Sequence, residues 1–143
     1  MAVILCGSPS EREQQLGQQI ISHSQAPITN LIGKTTLLQL TALLRAATVV
    51  LAPDSGPAHL ATTQSTPVIG LYGHSNPART GPYLSQPYTV SVYQQVAEQH
   101  YGKPLSELPW GARVKGSDIM PQISVAMVKE KLDLILSLSS PMS

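Results

Sequence analysis

The residues best suited to chemistry in this sequence are Asp54-Ser55-Gly56-Pro57, with His59 two places further on. They follow the apolar run 48–52 and precede a short stretch, 58–64, that reads as a helix. A helix start leaves N–H groups unpaired and carries positive partial charge, so it draws anionic oxygens such as those of phosphate. Pro57 suits the first helical position, which makes Ser55 or Gly56 the N-cap. Gly56 has no side chain to keep a ligand from the backbone. Asp54 narrows the choice of ligand. A carboxylate about 4 Å from a phosphate charge costs roughly 1 kcal/mol in bulk water, and more when partly buried. Sugar hydroxyls, in contrast, donate strong hydrogen bonds to a carboxylate. The combination points to a phosphorylated sugar, with His59 able to donate to a phosphate oxygen. The plainer alternative is that Asp54 and Ser55 cap the helix and His59 simply lies on its surface.

Glu11 and Glu13 follow an apolar strand at the start of another helix. Acidic residues there complement the helix dipole. Because that strand exit faces the same edge as Asp54 in a parallel sheet, Glu11 is also a candidate for ribose hydroxyls. Gly33-Lys34-Thr35 imitates the end of a P-loop, but Ile28 stands where the motif needs its first Gly. Gly33 instead closes a strand, and Thr36 with Gln39 has capping-box spacing. His23, His74 and His100 have no evident partner in the sequence, and no metal-ligand spacing is present. Cys6 is the single cysteine, which excludes an internal disulfide.

These residues need elements to hold them. Runs 2–6, 48–52 and 67–72 are largely apolar, as strands buried on both faces are, and 27–32 is a weaker strand pattern interrupted by Asn30. Helical patterns lie at 11–24, 36–47 and 58–64 between them. This alternation predicts an α/β fold with a Rossmann-like parallel sheet and helices on both faces. Ligands of such sheets bind at the carboxyl ends of the strands, where Asp54 lies. Residues 73–87 read as a loop, 88–93 as an edge strand, and 94–118 show no clear pattern. A final helix is expected over 124–138, with Val125, Val128, Leu132 and Ile135 on its apolar face.

The 143 residues suit one domain, and 42% hydrophobic content supplies a core built from aliphatic side chains, since aromatics are 4% and Phe is absent. Nine basic and eight acidic residues give a net charge of +1, which offers no general field for nucleic acid. Neither a signal-peptide layout nor an apolar run of membrane-spanning length is visible. A soluble, cytoplasmic protein is expected. The strand that begins directly after Met1 suggests a piece of a longer chain.

The segment NLIGKTTLLQLTALLRAATVVLAPDSGPAHLATTQSTPVIGLYGHSNP, residues 30–77, resembles the ADP-heptose:lipopolysaccharide heptosyltransferases, glycosyltransferase family 9. The likeness spans most of 3–82, and the final helix fits the family's end. It implies one half of a GT-B glycosyltransferase: the C-terminal donor-binding domain over 1–143, without the N-terminal acceptor domain that supplies an acidic base. No catalytic residue is then expected in this chain. By resemblance Asp54 holds the sugar, Ser55, Gly56 and His59 meet the diphosphate, the Thr35 backbone meets adenine, and Glu11 binds ribose. ADP-heptose is the implied donor substrate and the lipopolysaccharide core the acceptor, at the inner face of the cytoplasmic membrane. Neither cofactor nor metal is implied. Two other readings fit the same residues: a transferase or epimerase that uses a UDP- or GDP-sugar, and a stand-alone nucleotide-binding module without catalysis.

Overall fold

The computed structural model describes residues 2–81 and 83–139. The chain divides into two compact units, Met1–Leu43 and Leu44–Ser143. In the first, β1 (Val3–Leu5) pairs in parallel with β2 (Ile28–Asn30), Val3 opposite Ile28, and α1 (Glu11–His23) makes the crossover. Ser10 caps α1 by accepting from the Glu13 N–H at 3.3 Å. The ladder continues into the exit loops, where Leu31 N–H donates to the Leu5 carbonyl and Gly33 N–H to that of Gly7, both at 2.8 Å. Gly33 is required there. Its φ is +71°, and an added Cβ would lie 2.9 Å from the Pro9 Cα. The expected capping box opens α2 (Leu37–Ala46): Thr36 N–H donates to Gln39 Oε1 at 2.9 Å and Gln39 N–H to Thr36 Oγ1 at 3.2 Å.

In the second unit β3 (Val50–Pro53), β4 (Val68–Tyr72) and β5 (Val90–Ser91) form a parallel sheet in that order. Between them run α3 (Gly56–Thr63) and α4 (Pro77–Thr80), followed by a 3-10 segment, Tyr83–Tyr88. The chain then continues through α5 (Tyr93–Tyr101) to α6 (Val125–Ser139). Ile69 of β4, Val90 of β5 and Ile135 of α6 make one core, joined by Leu71, Val128 and Leu132. Tyr93, Val96 and Ala97 of α5 form a second with Val114 and Ile119. Two buried hydroxyls seal the start of β4. Ser85 Oγ accepts from Val68 N–H at 3.1 Å, and Thr66 Oγ1 donates to the Leu44 carbonyl at 2.7 Å.

Every strand pair is parallel, with a helix in each connection from β1 to β4, so the chain is α/β as its sequence pattern requires. The details depart in several places. Residues 73–87, expected as a loop, hold α4 and most of the 3-10 segment. Val3 and Ile4 of β1 and Leu51 of β3 are exposed, so these strands are not buried on both faces as β4 is. The ladders form two groups, β1-β2 and β3-β4-β5, and not one four-stranded set. Residues 94–118 contain most of α5, whose i, i+3, i+4 triplet Tyr93-Val96-Ala97 is buried and whose end is set by Gly102 at φ +65°. Val125 is not on the core face of α6, being 84% exposed. The first turn of α6 overhangs the core that Val128, Leu132 and Ile135 fill.

Candidate functional site

The exit of β3 is built around what its polar groups leave free. Ser55 is the N-cap of α3, with φ −156° and ψ 164°, and its hydroxyl makes no cap bond. Its Oγ donates back to the Pro53 carbonyl at 3.1 Å. Pro57, the second helical residue and not the first, has no N–H to offer. The main-chain N–H groups of Gly56 and Ala58 therefore have no partner among the described residues, while His59 N–H reaches the Ser55 carbonyl at 3.5 Å. Ala58 is fully buried and anchors the first turn of α3, whereas the His59 side chain is exposed and has no hydrogen-bond partner among the described residues. A Cβ on Gly56 would meet nothing within 4 Å, and its φ is not positive. Packing does not demand glycine at this position, so the space beside it is open to a ligand.

Asp54 does not cap α3. Its Oδ2 accepts from Ser75 Oγ at 2.9 Å, across to the loop after β4. Asp54 itself is exposed, while Ser75 is only 3% exposed. Beneath them lies Tyr72, 1% exposed, whose hydroxyl has no hydrogen-bond partner among the described residues. Burial, and then the Asp54 carboxylate, push the Tyr72 phenol up to about 12. Asp54, Ser75 and the last residue of β4 thus form one group at the carboxyl ends of two adjacent parallel strands, where open α/β sheets place their ligands.

The first unit presents its own carboxyl edge. Glu13 is consumed there: its carboxylate accepts from Ser8 N–H and lies beneath Gly7. Glu11, at the first position of α1, is exposed, and its Oε1 accepts only a surface bond from Gln15 Nε2 at 3.3 Å. Of the two acids, Glu11 is the one left accessible. Thr35 follows the tied Gly33 turn, and its main-chain N–H and carbonyl have no partner among the described residues. An unpaired donor and acceptor on one residue are what a purine edge needs.

The remaining histidines are structural. His74 Nδ1 is bonded to the Val114 carbonyl at 2.8 Å and the Val114 N–H donates to the His74 carbonyl at 3.0 Å, stitching the loop after β4 to residues 112–116. His23 Nδ1 meets the Gln19 carbonyl at 2.8 Å, and the His100 ring stands edge-on to Tyr101. Ser75 and Tyr72 were not distinguishable by sequence as parts of the site. A serine in a Gly-His-Ser-Asn-Pro loop and a tyrosine ending an apolar strand have ordinary structural readings.

Residues 1–110 match glycosyltransferase family 9 (heptosyltransferase). The chain belongs to this family. Over 126 residues it is 51% identical to the lipopolysaccharide core heptosyltransferase OpsX of Haemophilus influenzae, covering 88% of this chain and 36% of that protein. Lipopolysaccharide heptosyltransferase 3 of Escherichia coli is 31% identical over 131 residues, again across 36% of its length. Among solved structures, the ADP-heptose lps heptosyltransferase II of Escherichia coli superposes with a TM-score of 0.63 at 29% identity, over 96% of this chain and 37% of that one. A family 9 glycosyl transferase from Veillonella parvula shares the fold with a TM-score of 0.71 at 22% identity. The chain thus spans little more than a third of these relatives. The family match continues through residue 110, beyond the 3–82 stretch in which the sequence motifs lie.

Proposed function

We propose that this family 9 chain is the C-terminal, donor-binding domain of a GT-B glycosyltransferase that moves heptose from ADP-heptose to the lipopolysaccharide core. The observation that carries the reading is the β3 exit. There the unpaired N–H groups of Gly56 and Ala58 lie beside a carboxylate that is turned toward the next strand exit and away from capping the helix. Diphosphate oxygens take the N–H groups, with the half-buried Ser55 and the exposed His59 beside them. Asp54 Oδ1, the oxygen not engaged by Ser75, accepts from sugar hydroxyls. In the first unit Glu11 accepts from ribose hydroxyls, and the Thr35 main chain meets adenine.

The chemistry is a displacement at the anomeric carbon. The acceptor hydroxyl loses its proton to an acidic base, attacks that carbon, and the bond to the ADP oxygen breaks. In this reading the base and acceptor site are assigned to the acceptor domain, outside this chain, so this chain's share is to bind, orient and stabilise the leaving group. Negative charge grows on the departing diphosphate, and the fixed N–H dipoles at the start of α3 stabilise that charge more in the transition state than in the bound donor. The reading needs no cofactor or metal beyond the donor substrate. No helix among the described residues is long and apolar enough to cross a membrane. We place the transfer in the cytoplasm, at the inner membrane face where a lipid-linked acceptor is reached, with no nucleic-acid partner.

In the intact transferase that contains these residues, Asp54→Ala is expected to lower donor affinity and kcat/KM together. The loss should be about tenfold or more, the scale of a hydrogen bond to a charged group. Unchanged kinetics would remove Asp54 from the donor site.

A further inference from the structure

We propose that Ser75 is a positioning residue for Asp54: its buried hydroxyl fixes which oxygen of the carboxylate is left for the donor sugar. The inference rests on the reading of Asp54 as the sugar-holding group and extends it to a residue in a different loop. An exposed aspartate at a strand exit is ordinarily free to rotate about χ1 and χ2, and immobilising it only on binding costs affinity. Here the Asp54 carboxylate is held in advance. Ser75 Oγ donates to Oδ2 at 2.9 Å, and Ser75 itself is 3% exposed, so the donor is fixed by its surroundings and is not a mobile surface hydroxyl.

The loop that carries Ser75 is itself anchored. It follows β4, whose Pro53↔Leu71 register with β3 fixes the two exits side by side. The neighbouring His74 is bonded through its ring and its carbonyl to Val114. On the far side, Asn76 caps α4 by accepting from the Ala78 N–H at 3.0 Å. The bond therefore joins two rigid strand ends, an arrangement that holds a side chain in binding geometry without the ligand. Oδ2 is engaged by Ser75, which leaves Oδ1 as the less encumbered acceptor on the exposed side. Tyr72 is not an alternative support, because its hydroxyl has no hydrogen-bond partner among the described residues, Asp54 included.

The test has two arms on the 143-residue chain. In the ligand-free protein, NMR couplings about the Asp54 χ1 bond should report one rotamer, averaging in Ser75→Ala and a single rotamer again in Ser75→Thr. An Asp54 rotamer distribution that Ser75→Ala leaves unchanged overturns the positioning role, whatever the donor is. In the second arm, calorimetry compares ADP-heptose with ADP. Ser75→Ala should cut the preference for ADP-heptose by about tenfold while leaving ADP affinity unchanged, and Ser75→Thr should restore it. Equal loss for both ligands would mean a general structural effect and would contradict the proposal. A wild-type chain that binds ADP-heptose no better than ADP would instead overturn the sugar-holding reading of Asp54, and the rotamer arm would still decide whether Ser75 holds it.

Discussion

Asp54 connects the site to the packing beneath it through Tyr72. That phenol rises from an ordinary 10.0 to about 12, first through burial and then through the Asp54 carboxylate. Asp54→Asn removes the second cause, so the Tyr72 pKa should fall below that of the wild type, read from the Cζ chemical shift of labelled tyrosine. A Tyr72 pKa unmoved by the change would place the two groups out of electrostatic reach. The raised folded value also fixes a pH window. Stability tied to this group is intact below the unfolded pKa of about 10 and is lost as pH climbs through 12. Tyr72→Phe deletes a buried hydroxyl that has no partner among the described residues. It should leave neutral-pH stability equal or higher, by up to about 1 kcal/mol, and flatten the fall between pH 10 and 12 in denaturant titrations. Asp54 and Gly56 were legible in the sequence because a strand-turn-helix with free N–H groups has few uses. Ser75 and Tyr72 were not, because their roles exist only once β3 and β4 lie side by side.

Elements decide whether those residues are presented at all. β4 reads directly as a strand because both of its faces are covered, Val68, Ile69 and Tyr72 being almost fully buried. The capping box at Thr36 was equally legible, since it is local. α5 was missed because its apolar triplet Tyr93-Val96-Ala97 is diluted by glutamines and a histidine, and only Val114 and Ile119 from distant sequence complete its core. Val125 was misassigned for the converse reason: helical spacing gives a stripe, but the extent of the core decides how much of it is used. Two element-level variants follow. Gly33→Ala forces a side chain into left-handed backbone against Pro9, which should cost about 1–2 kcal/mol or more in urea unfolding. It should also loosen the turn that presents Thr35. Ser85→Ala leaves the Val68 N–H at the start of β4 buried without its acceptor, an expected loss of about 1–3 kcal/mol by the same measurement. Stability within a few tenths of the wild type would show that another acceptor takes over.

For the molecule as a whole, the α/β class followed from alternation alone, but the division into units Met1–Leu43 and Leu44–Ser143 did not. Apolar runs show that strands exist, not which ladders they join. Net charge of +1 gives this chain no field to gather an anionic donor, so its recognition of one must come from the few oriented groups at the strand exits. That places the central claim on the start of α3, and Gly56 is the residue at which it can be tested without disturbing the fold. Because a Cβ there meets nothing within 4 Å, Gly56→Ala should fold normally and gain up to about 1 kcal/mol in thermal stability from helix propensity. The most direct measurement is a calorimetric titration of the 143-residue chain with ADP, UDP and GDP, repeated on Gly56→Ala. Saturable binding that prefers ADP and weakens at least tenfold in the variant is the result this account predicts. Binding indifferent to the variant, a preference for UDP or GDP, or no binding of ADP would contradict it.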